Sequence, residues 1–442
     1  MNQQAFLEAS EVVSGPPAGK VEGSKRLRYA VRNQAEFQLC MLDELLSAED
    51  PARIVWEYVC GLDLSAITDR IAAVEGGPGA APADPRILMS LWLYAVLREV
   101  GSARRLNELC LRDIGFRWIC GGVSMNYHTL ADFRTAHVEV LDKILTQSVA
   151  TLMHEGLVSL RRVAQDGMKV RASAGAASFR RKPTLQECLQ AAETQLAQLQ
   201  ADLAADPGRE NKREKAAQQR ALEERAERIR QALAQHAEIE AAKKTEDKEK
   251  ARASTTDADA RVMKMADGGF RPAFNVQLAT ATDSLIITGV DVTNSGSDRG
   301  QLAPMVEQHQ ERYDERPAEM LADGGFVKKD DIDDLEPPQG GTTVYAPVMK
   351  SKDPHRDPHT PCDDDTPAVA QWRQRMATPE AKEIYKQRAA TAECANAHFR
   401  NRGLHRFLVR GLNKVKAVVL WFALAHNLFR AAGLRAQLSM AT

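Results

Sequence analysis

The sequence predicts an α/β fold in which an all-α N-terminal domain precedes a mixed sheet, and a helical hairpin is inserted into that sheet. Apolar residues recur at helical spacing through the first third of the chain. Later, strand-like runs stand before and after one amphipathic helix, which is typical of a mixed sheet with a crossover helix. The runs are residues 163–170, 274–281, 285–294, 318–326 and 342–348, and the helix is 300–313.

The first residues divide into a tail, a helical segment and a linker. Residues 1–24 are polar and rich in glycine and proline, so we expect little order there. KRLRYAVR at 25–32 forms a short basic arm. Two helices are expected within 35–73, and GGPGAAPADP at 76–85 reads as a linker. We therefore assign residues 1–78 to an N-terminal arm with helices.

A second helical segment starts at Asp84-Pro85, where an N-cap residue precedes a proline in the first turn. The first helix is expected to end at Gly101. A second helix is capped by Ser102, and a third follows SMNYHT and runs to Gly156.

Three short helices with tight turns predict that residues 79–156 form a helix-turn-helix-like DNA-binding domain. Arg104 and Arg105 are the candidate DNA contacts in this segment. An ordinary helical bundle without DNA contact is the alternative interpretation.

Residues 184–251 are inserted between the first predicted strand and the later strands. The domain that contains the sheet therefore consists of residues 157–183 and 252–435. The insertion reads as an antiparallel helical hairpin broken at Asp206-Pro207-Gly208. Its apolar positions have the spacing of a coiled-coil seam: Leu185, Leu189, Ala192, Leu196, Leu199 and Leu203, then Leu222, Ala226, Ile229 and Leu233. We favour a seam satisfied within the hairpin. Dimerisation, DNA contact or a cover over the site are alternatives.

Composition favours a cytoplasmic protein that does not enter a membrane. The N-terminus lacks a signal-peptide pattern, and the most apolar run, AVVLWFALA at 417–425, is too short to span a bilayer. Seven scattered cysteines without a CxxC pair indicate reduced thiols. A loop holds His355, His359 and Cys362, but zinc sites usually need four ligands at characteristic spacing, so we assign no zinc there.

One stretch of this neutral chain is strongly basic. Residues 385–416 hold eight lysines and arginines and a single acid, Glu393, although the net charge of the whole chain is −1. A local excess of this kind is typical of a polyanion-binding surface. A solvated helix face balanced by an acidic neighbour is the alternative.

Three acids stand at positions where secondary structure is expected to end or to be interrupted: Asp166, Asp323 and Glu393. Aspartate is depleted in strands, and burying its charge is costly without a partner. Carboxylates share a dry site only when they share a proton or bind a cation, and Mg²⁺ favours a few carboxylates with water and phosphate oxygens. The acids therefore predict a divalent-metal site. The alternative is that each acid merely caps a turn or helix.

The basic helix around Glu393 supports the metal interpretation. Positions seven apart lie on one face of an α-helix, so Lys386, Glu393 and Arg400 are expected to form one stripe. Asn396 lies one turn from Glu393, and Tyr385 is expected nearby. An acid flanked by cations suits a metal ligand with phosphate contacts on either side.

Many stretches of the chain resemble the bacterial insertion-sequence DDE transposases, in particular the group numbered 1182 within the class that carries a Tyr-x-x-Arg…Glu signature. Roughly residues 25–435 take part. The stretches are DPRILMSLWLYAVL, HTLADFR, VAQDGMKVRASA, TDADARVMK, FNVQLA, DRGQLAPM, MLADGGF, YKQRAATAECANAHFRNRGLHRF, VRGLNKVKAV and ALAHNLFR.

The resemblance implies an RNase H-like catalytic core with a helical insertion after its first strand. It places the acidic triad on Asp166, Asp323 and Glu393, and the signature tyrosine and arginine on Tyr385 and Arg388. The family often has lysine seven residues after the glutamate, where this chain has Arg400. The charge is kept, but a planar fork replaces a point charge.

The implied activity is phosphoryl transfer that depends on Mg²⁺ or Mn²⁺. Water attacks at the element ends to free a 3′-OH, which then attacks target DNA. The implied partners are double-stranded DNA, as terminal inverted repeats and target, and a second copy of the chain in a synaptic complex. The protein would act at the nucleoid. A nuclease that cuts without joining and a DNA-binding protein without catalysis are the alternatives.

Overall fold

The computed structural model describes residues 40–74, 81–205, 212–337, 340–350 and 355–441. The polar tail, the basic arm, the first half of the expected linker and the break in the insertion lie outside these residues. Residues from Leu42 onward form a unit of their own. The boundaries of the four segments expected from the sequence stay predictions.

The described N-terminal region is entirely helical. After a 3₁₀ turn at Leu42–Leu45, its helices are α1 (Pro51–Cys60), α2 (Ser65–Thr68), α3 (Pro85–Leu97), α4 (Ala103–Arg112), α5 (Ile114–Cys120), α6 (Tyr127–Ala136) and α7 (Val138–His154). Side-chain oxygens cap several helix starts, because the first backbone N–H groups of a helix have no partner within it. Asp84 caps α3 and Ser102 caps α4, as expected.

Three details of this region differ from the expectation. Helix α3 stops at Leu97 rather than at Gly101, because Glu99 adopts a left-handed backbone conformation with φ of 58°. Helix α5 was not predicted; the carboxylate of Asp113 caps it by accepting from two backbone N–H groups. The expected third helix is two helices, because His137 leaves the helical conformation between α6 and α7.

A six-stranded mixed sheet follows, in the order β4-β5-β1-β7-β8, with β6 beside β5. Its strands are β1 (Arg162–Arg171), β4 (Arg261–Lys264), β5 (Phe270–Ala281), β6 (Ile287–Thr293), β7 (Glu319–Leu321) and β8 (Thr343–Tyr345). Strand β5 lies antiparallel to β1, β4 and β6, whereas β7 and β8 run parallel to β1. Three antiparallel strands followed by two parallel ones confirm the predicted mixed sheet and are consistent with an RNase H-like core.

The insertion leaves the sheet after β1 and is a helical hairpin, as predicted. Helices α8 (Lys182–Ala205) and α9 (Lys212–Ala242) pack together above a small ribbon made by β2 (Phe179–Arg180) and β3 (Ala253–Ser254). The buried part of the seam lies near the ribbon, at Leu185, Ala192, Ala226 and Ile229. The half of the seam near the ribbon is therefore satisfied between the two helices, and Leu196, Leu199 and Leu203 are only partly buried.

Helices cover the sheet and complete the chain. They are α10 (Leu302–Tyr313), α11 (Lys329–Leu335), α12 (Pro367–Ala377), α13 (Pro379–Arg388), α14 (Cys394–Asn401) and α15 (Leu412–Ala441), with a π-helical turn at Ala389–Glu393. The expectation of one regular helix through residues 386–400 is wrong, because the π turn divides it.

Helix α15 ties the N-terminal helices to the sheet. Trp421 Nε1 donates to the carbonyl oxygen of Arg134, and Asn427 exchanges two hydrogen bonds with the backbone of Ile287 on β6. The segment Leu412–Met440 is long and apolar enough to cross a membrane, contrary to the length expected from the sequence. However, 72% of its apolar window is buried inside the protein, which is the position of a core helix.

The start of α15 is capped from a distant segment. The carboxylate of Asp257 accepts from the backbone N–H of Gly411, and that of Asp259 accepts from Leu412, at 3.1 and 2.9 Å. Negative charge at a helix N-terminus is stabilising because the free N–H groups there carry partial positive charge. The TDADA stretch therefore fastens the loop before α15 to the start of β4.

Candidate active site

The sheet brings the ends of three strands to one edge. Strands β1, β6 and β7 run in the same direction, so the loops that leave β6 and β7 lie beside the second half of β1. Strand β7 pairs with β1 only as far as Ala164. Asp166 follows this last pair and lies where β1 has no neighbour on that side.

Asp166 is half-buried and held by two hydrogen bonds. Its Oδ1 accepts from the backbone N–H of Gly167 at 2.9 Å, and its Oδ2 accepts from Asn396 Nδ2 on α14, also at 2.9 Å. Burial raises the pKa of Asp166 to about 6, and the charges of Asp323 and Asp298 add to this effect. The Arg388 guanidinium opposes it.

Arg388 lies between two of the predicted catalytic acids. Its Nη1 is 3.9 Å from Asp166 Oδ1, and its Nη2 is 3.8 Å from Glu393 Oε1. The guanidinium also lies over the ring of Tyr385, 5.9 Å from its centroid. Both distances are too long for hydrogen bonds, so the contact with the acids is electrostatic.

Asp323 and Glu393 approach Asp166 from two different elements. Asp323 follows β7, and its Oδ1 accepts from the backbone N–H of Gly325 at 2.7 Å. Glu393 ends the π turn, and 66% of its side chain is exposed. Tyr385 adjoins both aspartates, and burial raises the pKa of its phenol, so the hydroxyl is neutral at pH 7.

The structure adds a fourth carboxylate that the sequence interpretation did not assign. Asp298 lies in the loop after β6, and its Oδ1 accepts from Asn275 Nδ2 and Gln277 Nε2, both at 2.7 Å. A Cβ atom on Gly167 would lie 2.1 Å from this oxygen, so only glycine fits there. The signal was present, because Asp298 opens the DRGQLAPM stretch in the loop after a predicted strand.

The chemistry of this cluster suits a hard divalent cation. Carboxylate and amide oxygens are the protein ligands that Mg²⁺ prefers. The amide oxygen of Asn396 is buried and has no hydrogen-bond partner among the described residues. Asp166 and Glu393 meet the guanidinium only at longer range. These oxygens can therefore take part in binding a cation.

The remaining predicted DNA contacts are spread more widely. Lys386 is 69% exposed and pairs with Glu383, so it does not point at the acids. Arg400 is exposed on α14. On α4, Arg104 lies over the ring of Tyr127, and Arg105 pairs with Glu108 at 3.0 Å. The structure thus brings Tyr385, Arg388 and Asn396 to the acids, and leaves the two α4 arginines on the helical domain.

A second group of possible ligands has a different explanation. Cys362, Asp364 and Asp365 lie close enough together to hold a metal ion. However, Lys329 and Arg373 bind Asp365 at 2.8 and 2.7 Å, and they hold the pKa of that carboxyl well below its usual range. Cations of the protein therefore already balance this group.

Two family models match the chain. The model described as Transposase DDE domain matches residues 247–428, which include Asp323, Tyr385, Arg388 and Glu393. The model described as Transposase domain (DUF772) matches residues 41–136, which cover the helices from the first 3₁₀ turn through α6. Asp166 and the inserted hairpin lie between the two matched ranges. No curated protein and no solved structure matches the chain.

Proposed function

The chain belongs to the insertion-sequence DDE transposases, and on that premise we propose that Asp166, Asp323 and Glu393 catalyse DNA cleavage at the element ends and strand transfer into target DNA. The observation that carries the proposal is the position of Arg388 between Asp166 and Glu393. Asp166 and Glu393 lie more than 200 residues apart in the chain, and both face the Arg388 guanidinium. Asp323 lies beside them. The assignment to group 1182 stays a prediction.

The three carboxylates would hold the divalent metal ions on which DDE transposases generally depend, with Mg²⁺ or Mn²⁺ as the proposed ion. When bound, such ions stabilise the charge on the attacking and leaving oxygens of a phosphodiester. The buried position of Asp166 serves this task, because electrostatic interactions strengthen when water is excluded.

The neighbouring side chains would orient the DNA. Arg388 presents a fork-shaped cation that lies beside Asp166 and Glu393 without a hydrogen bond to either, so its guanidinium would bind a phosphate oxygen held at the acids. Arg400 and Lys386 lie further out and would contact flanking phosphates, while Arg104 and Arg105 would contact the element end. Tyr385 would position a nucleotide and not attack it, because the proposed reaction needs no covalent enzyme intermediate.

The proposed reaction balances without a covalent enzyme intermediate. In the first step, a water oxygen bonds to the phosphorus at the element end, the 3′-oxygen leaves, and a free 3′-OH results. In the second step, that 3′-oxygen bonds to a phosphorus in the target, whose own 3′-oxygen leaves. Each step exchanges one P–O bond for another, so in-line positioning of the two oxygens does most of the work.

The experiment uses a plasmid that carries the segment encoding this chain with its flanking sequence, and a second plasmid as target. Wild-type protein with Mg²⁺ should cleave at the element ends and join them to the target, and EDTA should abolish both products. Asp166→Asn, Asp323→Asn and Glu393→Gln should each reduce cleavage at least about 10³-fold. Asp330→Asn is the matched control, because Asp330 is an exposed acid on α11 that pairs with Lys328.

The alternatives predict different products. Cleavage without joined products would indicate a metal-dependent nuclease, and DNA binding without cleavage would indicate a protein that has lost catalysis. Normal cleavage by the amide variants would refute the assignment of the acids.

We also propose that two copies act together, because joining both ends of an element to one target requires two active sites side by side. Light scattering of the protein with paired ends should then give the mass of a dimer with two DNA molecules. A mass of one copy with one DNA molecule in every complex would contradict this.

A further inference from the structure

The hairpin of β4 and β5 projects beyond the part of the sheet that carries the acids. Strand β5 is paired with β1 only from Ala273 onward, and its first residues pair with β4 alone. Phe270 lies at the tip of this hairpin with 68% of its surface exposed, and Val262 of β4 is 50% exposed. An exposed phenylalanine on an unsupported hairpin has no packing role.

Phe270 projects from the same face of the sheet as Asp166, but Phe274 and Leu278 on that face are buried, so the exposed surface at Phe270 is separate from the acids. Successive side chains of a strand alternate between faces, and Phe270 lies eight residues before Leu278, which is the residue paired with Asp166. No bulge interrupts the pairing between them. Eight residues of strand correspond to about 27 Å. That length equals about eight base pairs of DNA at about 3.4 Å each.

A loop links the hairpin to the site. The loop before α15 lies between the end of β1, where Arg171 bridges to Arg406, and the start of β4, where Asp257 and Asp259 hold Gly411 and Leu412. This loop carries Leu408, whose surface is 55% exposed.

Four exposed cations surround these apolar side chains: Arg171, Lys264, Arg406 and Arg410. Arg171, Lys264 and Arg406 form no ion pair with a carboxylate among the described residues, and Arg410 faces Asp257 only at longer range. Exposed arginines elsewhere include paired ones, such as Arg105 with Glu108 and Arg230 with Glu193, and ones without an ion pair among the described residues, such as Arg112. What distinguishes the four cations is that they cluster with exposed apolar side chains. Unpaired cations together with an exposed aromatic side chain are the signature of a nucleic-acid surface.

We propose that the β4–β5 hairpin, the end of β1 at Arg171 and the loop 404–411 form a DNA-binding surface, on which the four cations contact phosphates and Phe270 packs into the minor groove against the bases. Apolar side chains in the minor groove are a common device for gripping and bending duplex DNA. The surface would bind the duplex about eight base pairs from the reacting phosphate. The proposal rests on the proposed function, because it takes duplex DNA as the substrate.

Salt dependence separates the two kinds of contact. Each phosphate contact releases counterions, and the logarithm of the binding constant falls with the logarithm of salt concentration by about 0.9 per contact. Replacing all four cations with alanine should therefore reduce the magnitude of this slope by about 3 to 4, and each single replacement by about 0.9. Phe270→Ala should raise Kd at least fivefold without changing the slope, because an apolar contact releases no counterion.

The experiment measures anisotropy of a labelled 40-base-pair duplex of mixed sequence with the full chain, in EDTA, from 50 to 200 mM NaCl. Arg316→Ala is the matched control, because Arg316 is an exposed cation before β7, at the opposite edge of the sheet, and has no ion pair among the described residues. It should leave the slope unchanged. Phe270→Tyr should restore the affinity that Phe270→Ala loses.

The outcomes distinguish this proposal from the proposed function. If the wild type does not bind the duplex, the proposed function fails. If the wild type binds and the four single variants keep its slope, this surface does not contact DNA and the proposal is overturned, whatever the catalytic result. Unfolding midpoints should match in all single variants because the altered side chains are exposed, so a loss of binding would not arise from unfolding.

Discussion

Asp166→Asn should make the protein more stable while it abolishes cleavage. The carboxylate is partly buried, with 18% of its side chain exposed, and burial raises its pKa from the ordinary value of 3.8 to about 6. A raised pKa means that the folded protein binds the proton more tightly than the unfolded chain does. Above pH 6 the folded protein must hold an ionised group that burial disfavours, and the amide removes that cost.

The size of the effect follows from the two pKa values. A difference of about two corresponds to about 3 kcal/mol, and this already includes the favourable charge of Arg388. The folded state keeps a proton between pH 4 and 6 that the unfolded state has lost, so the cost grows as the pH rises through this window. The gain from the amide should be about 3 kcal/mol at pH 8 and about 1 kcal/mol at pH 4.5.

The hydrogen bonds of the site tolerate the amide. The amide oxygen can still accept from Gly167, and Asn396 can turn its own amide because its oxygen has no partner among the described residues. The new amide then donates to that oxygen. We therefore expect the electrostatic gain to survive in the measured free energy of unfolding.

Urea unfolding of wild type and variant at pH 8 and pH 4.5, in EDTA, measures this gain. Asp323→Asn is the comparison, because Asp323 is more exposed and should not reproduce a gain of this size. Mg²⁺ should then stabilise the wild type and not Asp166→Asn, since a ligand of the folded state raises stability. A variant that is less stable than wild type at pH 8, or a gain equal at both pH values, would refute the reasoning.

Three further predictions concern the same region. Gly167→Ala should cost about 1 to 3 kcal/mol in urea unfolding, because its Cβ would lie 2.1 Å from Asp298 Oδ1, whereas Gly175→Ala meets nothing within 4 Å and should be neutral. Arg388→Lys should reduce cleavage at least about tenfold with unchanged unfolding, because a point charge cannot face two carboxylates as a fork does; equal cleavage rates would contradict this. Asp259→Ala should lower the unfolding free energy by about 1 kcal/mol through loss of a cap at α15, and an unchanged urea midpoint would count against that role.

Most of the fold could be predicted because its signals are local. The Asp84-Pro85 start of α3, the alternation in β5 and β6 and the seam of the insertion each depend on residues close together in the chain. Strand β4 and helices α5 and α11 were missed. Strand β4 has four residues and exists because β5 pairs with it, and α5 has seven residues and is fixed by the cap at Asp113. Short elements of this kind depend on tertiary partners more than on their own pattern.

The site was harder to predict from the sequence, because its residues are far apart in the chain and come together only in the folded protein. Asp298 lies 132 residues after Asp166, and it adjoins the site only because β6 runs parallel to β1 and Gly167 leaves room for it. Asn396 reaches Asp166 from 230 residues away. Aspartates after strands are common in loops, so the sequence alone cannot say which of them share a sheet edge.

The π turn, which the sequence interpretation did not predict, explains the geometry of the site. In an α-helix, residues five apart point about 140° away from each other, because each residue turns the chain by about 100°. Arg388 and Glu393 are five apart, and on a regular helix they would not face the same acid. The π turn at Ala389–Glu393 closes its hydrogen bonds from residue i to i+5 and so brings positions five apart towards one side. The π turn therefore lets Arg388 face both Asp166 and Glu393, whereas Lys386, which a spacing of seven placed on one stripe with Glu393, pairs with Glu383.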